Sequence, residues 1–213
     1  MVAGIVFFDC DGTLTTVKNS WKYLHKNLGL WDNNAERYQR LFLSGRIDYY
    51  DFCRRDALLW RGTPLHRVNS IVAEIPYQPG ARLLVSRLRG AGFVTVIVST
   101  GLSVLVERVR RELSIDLAFS NDLIVAGDTI SGEISINVHY DGKGRIVRDV
   151  LESFGFSRED AAAVGDGEGD RGMFEEVGLP IGFNMNGNFP AFPTRTRYVE
   201  CLSSILPLLG VNP

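Results

Sequence analysis

Residues Ile5-Val6-Phe7-Phe8 form a short apolar run that stops abruptly at Asp9-Cys10-Asp11-Gly12-Thr13-Leu14-Thr15. A run this short, bounded by a turn signal, reads as a buried strand. Side chains two apart on an extended chain point the same way, so Asp9 and Asp11 are expected to face one crevice. In a parallel α/β sheet, the crevice at the carboxyl ends of the strands is where ligands bind. Two carboxylates about 4 Å apart repel by roughly 4 kcal/mol at an effective dielectric near 20. Such a pair needs a cation, a shared proton or exposure to water.

Two more apolar runs, Phe93 to Val98 and Ala161 to Val164, read as parallel strands like Gly4 to Phe8. Helix-period segments, Val104 to Leu113 and Arg145 to Phe154, lie between the last two. That alternation predicts an α/β fold, a doubly wound parallel sheet with helices on both faces. Ile181-Gly182-Phe183 and Tyr198-Val199 are candidate further strands, and Leu202 to Leu209 a closing helix broken by Pro207. Leu123 to Ile134 is expected to form a β-hairpin turning at Ala126-Gly127-Asp128. Between Val17 and Ile75 the pattern is instead amphipathic helices, with loop signals near Gly29, Ser44-Gly45 and Gly62-Thr63-Pro64. All three tryptophans fall there, and most of the segment's aromatic residues are expected to form its own core. The predicted division is a discontinuous core of residues 1–16 and 77–213, with residues 17–76 an inserted helical lobe.

Composition narrows the partners. The chain has 213 residues, 45% hydrophobic and 23% charged, with a formal net charge of -2. Nothing in that balance favours nucleic acid or an anionic membrane. No apolar stretch approaches the roughly 20 residues that a membrane helix needs. A cytoplasmic location is the expectation, since acidic Asp9 interrupts the first apolar run where a secretory signal would continue. Cys10, Cys53 and Cys201 lack metal-site spacing and are expected to be buried reduced thiols. Oligomeric state leaves no signature in the sequence.

Four constellations carry chemistry. In the first, a carboxylate such as Asp9 can attack a phosphoryl group while a second carboxyl, Asp11, transfers protons. A calcium loop starting at Asp9 is excluded, because glycine sits at its fourth position and Ser20 stands where the bidentate glutamate belongs. A cysteine-phosphatase loop on Cys10 fails too, because Thr16 stands in place of the arginine. The second is Val98-Ser99-Thr100-Gly101, read as a hydroxyl and backbone N–H groups at a helix start that can hold an anion or merely cap the helix. The third is Asp141-Gly142-Lys143-Gly144, a turn able to aim a lysine at a phosphate. The fourth is Val164-Gly165-Asp166-Gly167-Glu168-Gly169-Asp170, whose oxygen donors on a tight backbone suit Mg²⁺. Each alone has a bland reading as a cap or a solvated turn. Together they balance: Asp9, Asp11, Asp166 and Asp170 bring four negative charges, against three from Mg²⁺ and Lys143.

In these motifs, their order and their spacing, the chain resembles the haloacid dehalogenase superfamily of phosphatases. The helical insert and the hairpin before Lys143 resemble its phosphoserine phosphatase branch. The resemblance implies a Rossmann-like core with a helical cap, and Mg²⁺ as cofactor. It implies Asp9 as nucleophile and metal ligand, and Asp11 as general acid/base with its backbone carbonyl on the metal. It further implies that Ser99, Thr100 and Lys143 bind the phosphoryl oxygens and that Asp166 ligates the metal. Asp170 would bind a metal-bound water or orient Lys143. The implied reaction is hydrolysis of a small phosphorylated metabolite through an aspartyl-phosphate, with transfer to an alcohol acceptor as the alternative.

The departures concern the substrate. Phosphoserine phosphatases of this kind place a glutamate shortly after the first motif, where this chain reads Thr16-Val17-Lys18-Asn19-Ser20. They place an arginine in the helical lobe, where an ungapped reading gives Asp56, with Arg54 and Arg55 adjacent. Gly169 replaces their usual asparagine. Phosphoserine is therefore one candidate substrate beside other small phosphorylated acids such as phosphoglycolate. Lys18, Trp21, Arg46, Tyr49, Arg54 and Arg55 are the lobe's candidate contacts, and Lys18 suits a substrate with a second anionic group.

Overall fold

The computed structural model describes residues 3–31, 33–185 and 192–212. The chain runs β1 (Gly4–Phe8), α1 (Ser20–Leu28), α2 (Asn33–Leu43), α3 (Tyr49–Leu59), α4 (Leu65–Ala73), α5 (Ala81–Gly90), β2 (Phe93–Leu102) and α6 (Ser103–Leu113). It continues β3 (Leu117–Ala126), β4 (Thr129–Ser135), α7 (Lys143–Phe154), β5 (Ala161–Gly165), α8 (Arg171–Glu175), β6 (Leu179–Phe183), β7 (Arg197–Val199) and α9 (Ile205–Leu208). Among the described residues the strands form one seven-stranded sheet, ordered β4-β3-β2-β1-β5-β6-β7. Every pairing is parallel except β3 with β4. The fold is thus α/β, as the apolar runs predict. No helix among the described residues is long and apolar enough to cross a membrane.

The sheet order places the site. The chain winds outward from β1 through β2 and β3, then returns to the other side of β1 with β5. The crevice between β1 and β5 is therefore the topological switch point, where ligands bind in such sheets. Period-two alternation feeds both faces of β1. Val6 and Phe8 join one core with Leu84, Leu88, Ile97 and Val109 from α5, β2 and α6. Ile5 and Phe7 join the other with Val147, Val150 and Phe174 from α7 and α8.

The four helices between β1 and α5 begin and end where local chemistry dictates. Asn19 caps α1 by accepting from the Lys22 N–H, and Asp48 caps α3 by accepting from the Asp51 N–H. Gly29 ends α1 at φ 73, a conformation that side chains with a Cβ avoid. Trp21, Tyr49 and Trp60 are buried with Leu24, Cys53 and Val68. That cluster also takes Leu102, Leu123 and Ile130 from the sheet and hairpin, so the lobe's core is shared rather than its own. Backbone bonds tie the two together. Gly62 N–H donates to Ile130 O at 2.8 Å, Ile130 N–H to Thr63 O at 2.9 Å, and Leu65 N–H to Asp128 O at 2.8 Å.

Several local expectations need correction. The hairpin turn is Gly127-Asp128 alone, since Ala126 already pairs with Thr129. β3 starts at Leu117, well before the hairpin, and its first half pairs parallel with β2. Mixed burial along that half conceals it as a strand. Pro207 does not break the closing helix. It sits in the first turn of α9, where a backbone N–H has no intrahelical partner to lose. Cys10 and Cys53 are buried as expected, but Cys201 is exposed.

Ile130 tests the shared core, being 1% exposed and contributed by the hairpin. Ile130→Ala should cost about 2–5 kcal/mol in urea unfolding. Tryptophan fluorescence reports residues 17–76 alone, since every tryptophan lies there. Its midpoint should fall together with that of far-UV circular dichroism; an unshifted fluorescence transition would show that the lobe does not depend on the hairpin.

Candidate active site

Asp9 leaves β1 on the same face as Phe7, toward α7, whose first residue is Lys143. Both are almost fully buried. Lys143 Nζ lies 2.6 Å from Asp9 Oδ1 and 2.7 Å from Asp170 Oδ1. Burial alone would lower the Lys143 pKa, but Asp170 and Asp9 outweigh it and hold the ammonium above its ordinary value. Lys143 is therefore no flexible turn residue. It is a fixed charge at the N-terminus of a helix, where the dipole disfavours a cation and the two carboxylates compensate.

Asp9, Asp166 and Asp170 each offer an oxygen within 4.8 Å of the others'. Burial pushes Asp9 well up from the usual carboxylate range; Lys143 opposes this, and Asp170 and Asp11 add to it. Burial, then Asp170, pushes Asp166 up to about 6, against the pull of Lys18. Three oxygen donors whose charges one lysine does not neutralise fit a hard divalent cation such as Mg²⁺. Two glycines make the cluster possible. A Cβ on Gly12, whose φ is +85, would meet Asp166 Oδ2 at 2.2 Å, and one on Gly165 would meet Asp170 at 2.3 Å.

Asp11 stands apart from that cluster. Its Oδ2 accepts from the Ser20 N–H at 2.6 Å, at the start of α1, while the buried Oδ1 has no hydrogen-bond partner. Burial raises its pKa, offset in part by Ser20. It is not among the three acids whose oxygens converge. Neighbouring carboxyls thus have separate environments, one on a lysine and one on a helix terminus.

Ser99 and Thr100 do not begin a helix. β2 runs on to Leu102, with its register against β3 shifting between Val98 and Leu102, and α6 starts at Ser103. Ser99 Oγ accepts from the Gly101 N–H at 3.0 Å. The Thr100 carbonyl accepts from Trp21 Nε1 at 3.2 Å, Asn121 Nδ2 at 3.1 Å and Tyr49 Oη at 3.4 Å. The Thr100–Gly101 peptide is therefore held from both sides. Asn121 is the residue that sequence reasoning missed. It is fully buried, donates also to Tyr49 Oη and Val138 O, and accepts from the Asn137 and Val138 N–H groups. An asparagine inside a strand, where that residue is disfavoured, was the available signal.

Asp9, Asp11, Ser99, Thr100, Lys143, Asp166 and Asp170 all line one pocket of about 170 Å³, together with Lys18, Trp21 and Gly169. Lys18 Nζ is 4.0 Å from Asp166 Oδ2, and its side chain is mostly exposed. Trp21 and Tyr49 line an adjoining cavity with Thr100, Phe42, Phe52 and Asp56. Arg46, Arg54 and Arg55 are not at the site. Arg46 lines a surface hollow with Arg37 and Arg40, and Arg54 and Arg55 line another against the hairpin.

A model of the haloacid dehalogenase-like hydrolase family matches residues 6–175. The chain is 33% identical over 181 residues to phosphoserine phosphatase of Archaeoglobus fulgidus, covering 84% of this chain but only 52% of that protein. It is 27% identical over 180 residues to phosphoserine phosphatase of Methanocaldococcus jannaschii, covering 84% of each. The chain thus spans about half the length of the first relative and most of the second. Among solved structures, a phospho-aspartyl intermediate analogue of phosphoserine phosphatase superposes with TM-score 0.81 at 24% identity, over 98% of this chain and 99% of that one. A probable phosphoserine phosphatase from Vibrio cholerae gives TM-score 0.86 at 20% identity, over 97% of this chain and 64% of that one.

Asp166 yields a pH prediction. Its folded pKa is raised from 3.8 to about 6, so the protonated form favours the metal-free fold. That contribution is complete below pH 3.8 and is lost as pH rises through about 6. In EDTA, Asp166→Asn should therefore be the more stable protein at pH 7.5, by up to about 3 kcal/mol. The advantage should vanish near pH 4. Urea titrations of both proteins across this range measure it, and an advantage independent of pH would contradict the assignment.

Proposed function

The chain belongs to the haloacid dehalogenase-like hydrolases, and on that premise we propose that it is a Mg²⁺-dependent phosphatase of small phosphorylated metabolites, working through an aspartyl-phosphate. The observation that carries this reading is the convergence of Asp9, Asp166 and Asp170 around Lys143 at the switch point. Relatives across 84% of the chain are phosphoserine phosphatases. Residues 1–16 and 77–213 serve as the catalytic core and 17–76 as a cap.

In this mechanism the phosphate enters beside Ser99, Thr100 and Lys143, which hold its oxygens. Asp9 attacks phosphorus, forming an Oδ–P bond as the ester P–O bond breaks. Asp11 gives its proton to the departing alkoxide; its raised pKa suits a carboxyl that must carry one. Water then attacks phosphorus and yields a proton to Asp11, the Oδ–P bond breaks, and both carboxyls return to their starting states. Mg²⁺ held by Asp9, Asp166 and Asp170 would supply positive charge that keeps Asp9 ionised and withdraws electron density from the phosphoryl oxygens. Lys143 holds Asp9 Oδ1, which leaves Oδ2 to react.

The substrate-facing residues support phosphoserine as one candidate only. No acid stands in the stretch from Thr16 to Ser20, and Lys18 adjoins Asp166.

Turnover of an aryl phosphate should vanish, by a factor of 10³ or more, in Asp9→Asn; the order of magnitude is that of losing a covalent nucleophile. It should also stop in EDTA and return with Mg²⁺. Circular dichroism of Asp9→Asn should match the parent, and residual turnover near the parent rate would remove Asp9 from the mechanism.

A further inference from the structure

The backbone beside Ser99 is held by a residue that lines neither the Asp9 pocket nor the cavity adjoining it. Asn121 is the last residue of β3 paired with β2; Asp122, the next, already pairs with β4. Two backbone N–H groups, of Asn137 at 2.9 Å and of Val138 at 2.8 Å, fix the orientation of its buried amide. A backbone N–H can only donate, so the atom facing them is Oδ1 and the Nδ2 protons face the other way. There Nδ2 meets Thr100 O at 3.1 Å, Tyr49 Oη at 3.1 Å and Val138 O at 3.2 Å. An inverted amide would aim its protons at two other donors, so Asn121 has one orientation here.

That orientation controls one peptide plane. The Thr100 carbonyl takes bonds from Asn121, Trp21 and Tyr49 together. A trans peptide is planar, so fixing the carbonyl fixes the Gly101 N–H on the opposite side. That N–H donates to Ser99 Oγ at 3.0 Å. Because the Ser99 oxygen already accepts there, its hydroxyl proton is left to donate elsewhere. The peptide also passes close to the acid of the first motif: a Cβ on Gly101 would stand 3.0 Å from Ser99 Oγ and 3.6 Å from Asp11 Oδ1. On its other side, the Asn121 amide grips Asn137 and Val138. These lead into Lys143 through a turn closed by the Gly142 N–H on His139 O at 2.9 Å. One amide thus sets the spacing between the strand that carries Ser99 and the segment that delivers Lys143.

We propose that Asn121 is a positioning residue for phosphoryl transfer. Through the Thr100–Gly101 peptide it sets where the Ser99 hydroxyl stands relative to the Lys143 ammonium, and so how closely the two match the phosphoryl oxygens in the transition state. The inference rests on the phosphatase reading above and adds a residue that never touches the substrate. Donors aimed at charge in a transition state lose most of their effect when displaced, because the aim is what the fold has preorganised. Tyr49 extends the device to the lobe. Its hydroxyl accepts from Asn121 and donates to the Thr100 carbonyl, and its ring meets that of His139 edge-on at 4.9 Å.

Inhibition of aryl phosphate turnover in Mg²⁺ tests this on the intact enzyme. Orthovanadate, which becomes five-coordinate when an oxygen nucleophile adds to it, probes the transition state; inorganic phosphate probes the ground state. Asn121→Ala should raise the vanadate Ki by about ten- to a hundredfold, the scale of a misplaced donor, and the phosphate Ki by less. An inhibition constant is unaffected by partial loss of folded protein, so a merely structural role would leave both unchanged. In a Ser99→Ala background the effect of Asn121→Ala should be smaller by about threefold or more, since the group it positions is gone. Tyr49→Phe removes one donor from the Thr100 carbonyl and keeps the ring. It should raise the vanadate Ki about fivefold, the worth of one net hydrogen bond, and it carries the test if Asn121→Ala does not fold. A vanadate Ki unchanged in whichever variant folds would overturn the inference and leave the phosphatase reading intact. So would a phosphate Ki raised as much as the vanadate Ki, or an Asn121→Ala effect undiminished beside Ser99→Ala. Absence of aryl phosphate turnover by the parent enzyme would remove the phosphatase reading and this inference with it.

Discussion

A lysine ammonium buried between two carboxylates holds this site together. Lys143 begins α7, Asp9 ends β1, and Asp170 follows the loop after β5, so one side chain pins three separate parts of the chain. Removing the lysine leaves two buried carboxylates without their counter-charge, which typically costs about 3–5 kcal/mol. The pin also sets the charge balance. One ammonium cannot neutralise Asp9, Asp166 and Asp170, and the remaining negative potential gives a divalent cation its place. Because the lysine sits at a helix N-terminus, the local backbone dipole opposes it as well. A fold that accepts such strain has concentrated its least favourable electrostatics in one pocket at the switch point.

A neutral network does for the second strand what the ion pairs do for the first. Asn121 holds Thr100, Tyr49 and the chain at Val138, and Trp21 adds a bond to the same Thr100 carbonyl. The peptide beside the Asp9 pocket is thereby positioned by side chains from α1, α3 and β3. Hydrogen bonds of this kind are worth about 1 kcal/mol each, but leaving a buried partner unmatched costs more. The lobe therefore contributes to the geometry of the Asp9 pocket as well as to its cover.

What the sequence made legible follows from the range of the forces involved. Buried parallel strands announce themselves as apolar runs, and carboxylates just beyond their ends announce a crevice; Asp9, Asp11, Asp166 and Asp170 were found this way. Helix boundaries at Gly29, Gly45 and Gly62 were readable because the conformation there is local. Asn121 was harder, since its importance lies in partners 16 to 72 positions away. Ser99 shares the pocket of the aspartates, but it is not at a helix start. The irregular extension of β2 positions it, and register against β3 is invisible in one strand's own sequence. The arginines near Asp56 looked equally available, but α3 turns them to the surface while burying the acid beside them.

The three backbone bonds between the α3–α4 loop and β4 bear on how specificity can change in proteins built this way. A flap attached by two chain crossings can swing. A flap also stitched to a neighbouring ribbon must break those bonds or carry the ribbon with it. The ribbon here is continuous with β3, whose Asn121 holds the Thr100 carbonyl. The length and twist of the 127–128 turn region thus form a remote adjustment screw. Residues added there, far along the chain from Asp9, would tilt the aromatic cavity relative to that carboxylate without altering a single side chain in either.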